Sequence, residues 1–348
     1  MTNIARVLII DDSAYVRKVI KQMLLRSPFI EVVGTARDGA EGMELVKELK
    51  PDVVTCDLNM PMMDGVAFVQ AQMAAQPVPI IIISIANQSG EQVLAALDAG
   101  AVDFVQKPTA LATDKLFDIA DDLIEKVKAC AQSPLRNRAP VSSAPAAAPT
   151  MAVKRTGVAR HDILVIGAST GGPQALKTVI SVLPADYPLP VALVLHMPIG
   201  YTEMYAQKLD EVTGLTVVES RGGEAVVAGQ VFVAPAGRHL VFRRDPSGVV
   251  RTQLDVRPLD TPHRPAVDVL FQSAAETFGA RVLGVVLTGM GADGRAGAGW
   301  IKAKGGTILT ESESSCVVYG MPRSVVEAGL SDQSLPLSQM AQGIMDCL

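Results

Sequence analysis

Residues 133–160 read SPLRNRAPVSSAPAAAPTMAVKRTGVAR, with four prolines, five basic residues and no acidic one. Alanine and serine fill much of the rest. Such a segment buries too little apolar surface to offset the entropy of ordering it, so it is expected to be a flexible spacer. No other feature constrains the fold as strongly. The 348 residues must then form a separate core on each side of it. The expected division is a first domain at 1–130, a Pro/Ala-rich linker at 131–159 and a second domain at 160–348. Hydrophobic residues make up 49% of the chain and charged ones 19%, enough apolar material for both cores.

Both halves follow one grammar. In the first, apolar runs at 7–10, 32–36, 53–56, 79–84 and 102–105 alternate with helical spacing at 14–25, 39–49, 90–99 and 113–129. In the second, strand runs at 163–166, 191–195, 215–218, 231–234, 282–287 and 307–310 alternate with helices at 173–182, 202–212, 265–278, 294–304 and 322–328. Segment 240–254 departs from this and reads as a local hairpin. Short, continuously apolar runs belong to strands buried on both faces, and interleaved helices make such a sheet parallel. The fold class is therefore α/β twice over: a five-stranded parallel sheet, then a doubly wound, mostly parallel one.

Composition removes several function classes. A formal net charge of −5 supplies no basic field for nucleic acid. Cys56, Cys130, Cys316 and Cys347 form no C-x-x-C pair, so neither a disulfide frame nor a zinc site is expected. The first apolar run is short and ends in Asp11 and Asp12, unlike a signal peptide. No apolar stretch reaches the roughly 18 residues of a membrane span. The expectation is a soluble cytoplasmic protein.

Ligands of a parallel α/β sheet bind beyond the carboxyl ends of its strands. Asp11 and Asp12 follow the first strand, Asp57 the third, Ser84 ends the fourth, and Lys107 follows the fifth. Clustered carboxylates suit Mg²⁺, a hard cation. With its charge neutralised, a carboxylate can attack a phosphoryl group whose oxygens a hydroxyl and an ammonium then hold. One aspartate after a strand is unremarkable; this whole set is not. The blocks VLIIDDSAYVRKVI, DVVTCDLNMPMMDG and AGAVDFVQKP resemble a response-regulator receiver domain over about residues 5–127. The resemblance implies a flavodoxin-like fold and phosphorylation of Asp57 by a histidine kinase. It implies Mg²⁺ on Asp11, Asp12 and Asp57, phosphoryl contacts from Ser84 and Lys107, and a switch aromatic at Phe104. Ile85 departs from the family, which usually has a small residue there. Its bulk is expected to restrict access to Asp57 or alter switching.

In the second half, VIGASTGGPQAL carries Ser169 between a strand and a helix, inside G-x-S-x-G. Backbone amides at a helix start favour an anion, which suits a phosphate cradle and an oxyanion equally. The dinucleotide fingerprint fails because Ser169 holds its middle glycine and the next strand ends in Leu195-His196 rather than an acid. The Gly-Lys-Ser/Thr of a P-loop is missing. A nucleophilic serine needs a base, and His196 ends the strand expected to lie beside that of Ser169. Asp293, in LTGMGADG, is placed to orient that base, and the amides of Met290 and Gly291 to meet an oxyanion. On a plainer reading Asp293 caps the helix beginning near Gly294. The order Ser–His–Asp is not that of α/β-hydrolases.

The blocks IGASTGGPQAL, LVLHMPIGYTEMYAQKLD, RPAVDVLFQSAA, LTGMGADGRAG and CVVYGMPRSV resemble the catalytic domain of the chemotaxis protein-glutamate methylesterase (CheB) family over about residues 160–346. The resemblance implies Ser169 as nucleophile, His196 as general base and Asp293 as orienting acid, with Thr170 and Met290 lining the oxyanion region. It implies no cofactor in this half. The substrates would be glutamyl methyl esters on chemoreceptor cytoplasmic helices, with receptor glutamines deamidated by the same machinery. The chain is further expected to be a monomer with no nucleic-acid partner and no membrane insertion. A phosphoacceptor domain joined by a flexible linker to a complete hydrolase also gives the expectation that the receiver covers the catalytic rim until Asp57 is phosphorylated.

Overall fold

The computed structural model describes residues 4–85, 90–107, 119–133 and 160–348. The chain divides into two compact units, Met1–Ala144 and Pro145–Leu348. Most of the expected linker, from residue 134 onward, and residues 113–118 of an expected helix lie outside the described residues. No described helix is long and apolar enough to cross a membrane.

The first unit runs β1 (Ala5–Ile10), α1 (Ala14–Leu24), β2 (Ile30–Ala36), α2 (Gly39–Leu49), β3 (Val53–Cys56), α3 (Gly65–Ala75), β4 (Ile80–Ile85), α4 (Gly90–Asp98), β5 (Asp103–Lys107) and α5 (Ala120–Ala131). The strands order β2-β1-β3-β4-β5, every neighbouring pair parallel. This is the flavodoxin-like order, with its reversal between β1 and β3. Side-chain caps start the helices: Ser13 accepts from the Val16 amide at 3.4 Å, Asp38 from Glu41 at 2.9 Å and Asp64 from Ala67 at 2.8 Å. Helix α3 was not among the expected elements. Its sequence, GVAFVQAQMAA, is apolar around most of its circumference, so no amphipathic stripe marks it; Asp64 before it was the legible signal.

The second unit runs β6 (Ile163–Ala168), α6 (Gly172–Ile180), β7 (Val191–Leu195), α7 (Thr202–Asp210), β8 (Thr216–Glu219), β9 (Gln230–Val233), β10 (His239–Arg244), β11 (Val250–Asp255), α8 (Val267–Phe278), β12 (Val282–Val286), α9 (Arg295–Ala303), β13 (Thr307–Glu311), α10 (Met321–Glu327), β14 (Gln333–Leu335) and α11 (Leu337–Asp346). Seven strands order β14-β13-β12-β6-β7-β9-β8, all parallel. Strands β10 and β11 form the expected hairpin, antiparallel and apart from the sheet. The edge strand β14 is three residues long and mostly exposed, so it carries no apolar run to read. Helix α11 also escaped the sequence reading.

Period-two alternation sorts the core. Ile163, Val165, Ala192, Val194 and Phe232 share one cluster with Leu270 and Phe271 of α8 and Ala298 and Ile301 of α9. The chain leaves β6 toward β7 on one side and returns to β12 on the other. The rim beyond β6 is therefore the reversal point of this sheet, where ligands enter.

Candidate active site and phosphoacceptor pocket

Beyond β1, β3 and β5 of the first unit lies a charged pocket. Lys107 Nζ stands 2.8 Å from Asp11 Oδ2 and 3.1 Å from Asp57 Oδ1, all three side chains largely buried. Asp11, Asp12 and Asp57 each bring a carboxylate oxygen within 4.8 Å of the others. Burial raises the Asp57 carboxyl above its usual range; Lys107 counters this and Asp11 adds to it. Burial works against charge on Lys107, yet the carboxylates of Asp11 and Asp57 carry its pKa upward. Gly65 permits this packing, because a Cβ there would stand 2.2 Å from the Asp57 carbonyl oxygen. Ser84 and Phe104 are buried close by in β4 and β5. Ile85 pairs in register with Lys107, but its side chain lies outside the described residues.

The second unit places the candidate residues Ser169, His196 and Asp293 beyond the carboxyl ends of three neighbouring strands, β6, β7 and β12. The β6–β7 ladder ends at Ala168↔Leu195, so Ser169 and His196 are the next residues along adjacent strands. The His196 amide donates to Ala168 O at 3.2 Å, and the Ser169 amide to Thr288 O at 3.0 Å. No hydrogen bond ties the Ser169 hydroxyl to another described residue. Two glycines make the crowding possible. A Cβ on Gly289 would lie 2.8 Å from Ser169 Cβ. Gly171 has φ +79°, and a Cβ there would meet Val317 at 2.7 Å.

Asp293 holds His196 by Oδ2, 2.9 Å from Nε2. The same carboxylate accepts the amides of Val267, Asp268 and Gly294 at 2.8, 2.8 and 2.9 Å. Asp293 thus caps α8, which begins 26 residues earlier than it. Asp268 returns the favour to α9, accepting the amides of Gly294 at 2.9 Å and Gly297 at 2.7 Å. Burial alone would raise the Asp293 carboxyl. The His196 bond and charge, with the amides of Asp268 and Val267, bring it below its usual range instead. A carboxylate so held only accepts, so Nε2 carries the proton that it receives. The other ring nitrogen, Nδ1, is buried and has no hydrogen-bond partner among the described residues. The imidazole stacks on His263, centroids 4.1 Å apart.

The remaining rim residues are drawn in by Thr288. Its hydroxyl donates to Thr170 O at 2.9 Å and accepts from the Val318 amide at 3.0 Å. Its own amide donates to the buried Glu311 at 2.8 Å. No described residue accepts from the amides of Met290 and Gly291.

The CheB methylesterase family profile matches residues 164–344, and a response regulator receiver domain profile matches residues 7–120. The chain belongs to the CheB methylesterase family. Among its relatives is protein-glutamate methylesterase/protein-glutamine glutaminase 5 of Myxococcus xanthus, 48% identical over 96% of this chain and 95% of that one. The protein-glutamate methylesterase/protein-glutamine glutaminase of Symbiobacterium thermophilum is 44% identical over 97% of this chain and 96% of its own. The crystal structure of the Thermotoga maritima CheB methylesterase catalytic domain is 41% identical, with a TM-score of 0.53; it covers 54% of this chain and 99% of that chain.

For a CheB-family chain, the sequence reading located the nucleophile, base and acid candidates but missed their supports. Asp268, His263, Thr288 and Glu311 were not singled out. Asp268 had a visible signal, an acid in the first turn of an expected helix. The stacking of His263 depends on how an irregular segment folds back, which no local pattern encodes. The plainer reading makes Asp293 the cap of the helix beginning near Gly294; the helix whose first amides it accepts is instead α8.

Proposed function

We propose that Ser169, His196 and Asp293 are the nucleophile, general base and orienting acid of a protein-glutamate methylesterase. The observation that carries this reading is the state of His196: Nε2 committed to Asp293, and Nδ1 buried without a partner. A buried polar atom left unpaired costs stability, of order 1–3 kcal/mol, and a catalytic role is one reason for a protein to keep one. Here Nδ1 is the lone pair that takes the proton of the Ser169 hydroxyl. The freed oxygen attacks the ester carbonyl of a glutamyl methyl ester, and the amides of Met290 and Gly291 receive the resulting oxyanion. The proton on Nδ1 passes to the departing methoxide, which leaves as methanol. Water then attacks the acyl-enzyme along the same proton path and releases glutamate. Asp293 stays ionised throughout, stabilising the charged imidazole. A primary amide can follow the same route with ammonia leaving, which accounts for the glutaminase in the relatives' names.

The substrates on this reading are methylated chemoreceptors. The phosphodonor is a chemotaxis histidine kinase acting on Asp57, and the product signal raises turnover at Ser169. Mg²⁺ fits the three carboxylates of Asp11, Asp12 and Asp57, since oxygen donors at this spacing suit a hard cation. When bound, it neutralises charge around Asp57 during phosphoryl transfer. Lys107 and Ser84 hold the phosphoryl oxygens, and Phe104 moves with them.

An organophosphorus ester that labels activated serines provides the test. Mass spectrometry of the full chain is expected to find the adduct on Ser169, with Ser169→Ala unlabelled. Labelling at another serine, or none on a well-folded chain, would overturn the assignment.

A further inference from the structure

The chain is acidic overall, with a formal net charge of −5, yet one face of the second unit is strongly basic. A groove of about 470 Å³ beside the β10–β11 hairpin is lined by Arg221, Arg238, Arg243, Arg244 and Arg251 against a single Asp245. The hairpin explains how the arginines gather. Leu240, Phe242 and Thr252 turn inward and are buried, Phe242 edge-on to Phe278 of α8 at 5.5 Å. Arg243 and Arg251, at the alternate positions, are exposed and stand directly opposite each other in the ladder. Like charges at opposed positions destabilise a hairpin. Arg251 is partly answered by Asp245 at 2.9 Å and by Gly223 O at 3.0 Å. Arg238 and Arg243 have no side-chain hydrogen bond or ion pair among the described residues.

The groove is tied to the catalytic rim through covered contacts. Arg238 precedes His239, which is fully buried and accepts the Ala266 amide on Nδ1 at 3.2 Å. The next amide, Val267, donates to Asp293 at 2.8 Å. The strand bearing the arginines is thereby fixed to the helix start that the catalytic acid caps.

We infer that this arginine groove binds the acidic surface of the protein substrate, pairing with glutamate carboxylates that flank the ester under attack. The inference rests on the methylesterase reading above. Each turnover replaces a neutral ester by a carboxylate, so a protein carrying several such sites is studded with glutamates in its demethylated form. Guanidinium forks match carboxylates in a way that surface ammonium groups do not. Ser169 handles one side chain, and the groove reads its neighbours.

Binding of a demethylated receptor cytoplasmic fragment to the full chain, followed by fluorescence anisotropy, tests this without catalysis. Methanol release can therefore fail while this result stands, and the reverse. The wild-type Kd is expected to rise steeply with salt, since exposed charges are screened beyond about 8 Å at physiological ionic strength. The Arg238→Ala/Arg243→Ala variant is expected to bind at least about tenfold more weakly, a loss of roughly 1.4 kcal/mol, with a flatter salt dependence. Unchanged affinity in a variant with a wild-type Tm would overturn the inference. So would a duplex oligonucleotide displacing the fragment at equal anionic charge, which would assign the groove to nucleic acid.

Discussion

In the receiver unit, three carboxylates and one ammonium converge beyond β1, β3 and β5. In the catalytic unit, one carboxylate and one imidazole pair beyond β12 and β7, and Ser169 follows the adjacent strand β6. The two sheets share an architecture and place their sites at the same topological position, but they manage charge in opposite ways. The receiver crowds like charges and depends on Lys107 for balance, so burial leaves Asp57 harder to ionise than usual. The catalytic unit surrounds Asp293 with donors, so that carboxyl ionises more readily than usual. The first arrangement suits a site waiting for a cation and a phosphoryl group. The second suits a fixed anion that orients a base through the whole reaction. What differs is the residues set at the strand ends, and the function goes with them.

The comparison is broken most severely by Asp293→Asn. The amide cannot accept from Nε2–H and from the α8 amides in the same way, and the imidazole tautomer is no longer dictated. Turnover on methylated receptor is expected to fall by roughly 10⁴-fold, and denaturant unfolding should show a destabilised catalytic unit. Activity within tenfold of wild type would remove Asp293 from the site.

Lys107→Met strikes the other unit. It strands Asp11 and Asp57 as buried, uncompensated carboxylates. A loss of about 3–5 kcal/mol of receiver stability is expected in metal-free buffer, with Mg²⁺ recovering part of it; equal unfolding midpoints for variant and wild type would contradict this balance.

A smaller effect is expected from Gly289→Ala. The added methyl meets Ser169 Cβ and the Met321 sulfur, at 2.8 and 2.4 Å before any adjustment. Overpacking of this kind costs about 1–3 kcal/mol, and displacement of Ser169 should lower kcat more than it raises KM. A variant with normal kcat would show that the serine has more room than the glycine implies.

The smallest effect is on pH dependence. Asp293 is depressed below its ordinary 3.8, so its ionised form stabilises the fold above that pH and the contribution is lost as pH falls through the lower folded value. Wild type and Asp293→Asn should therefore keep their full difference in Tm above about pH 4 and converge only as the pH falls below it through the lowered folded value. A constant difference at all pH values would show that capping, rather than charge, carries the stabilisation.

The sites were legible in the sequence to different depths. The strand-end aspartates and Lys107 could be read because each sits at the end of an apolar run, and parallel topology then brings the ends together. Ser169 and His196 were readable by the same logic, as residues next to Ala168 and Leu195. Asp293 was harder to read, since the helix it mainly caps lies earlier in the chain. The reciprocal capping with Asp268 depends on the packing of α8 against α9, which no local spacing encodes. Helix α3 hid behind a uniformly apolar sequence, and β14 behind a short exposed one. Thr288 and Glu311 are polar residues whose roles arise only from contacts distant in sequence: the Thr288 amide donates to Glu311, and its hydroxyl accepts from the Val318 amide.

The central claim is that Ser169 performs the hydrolysis while Asp57 governs its rate. It is tested most directly by methanol release from methylated receptor, measured with and without a small-molecule phosphodonor, for wild type, Asp57→Asn and Ser169→Ala. The account predicts release by wild type that rises with the phosphodonor, release by Asp57→Asn that does not respond, and background release alone from Ser169→Ala. Equal release by wild type and Ser169→Ala, or an unchanged wild-type rate with Asp57 demonstrably phosphorylated, would contradict it.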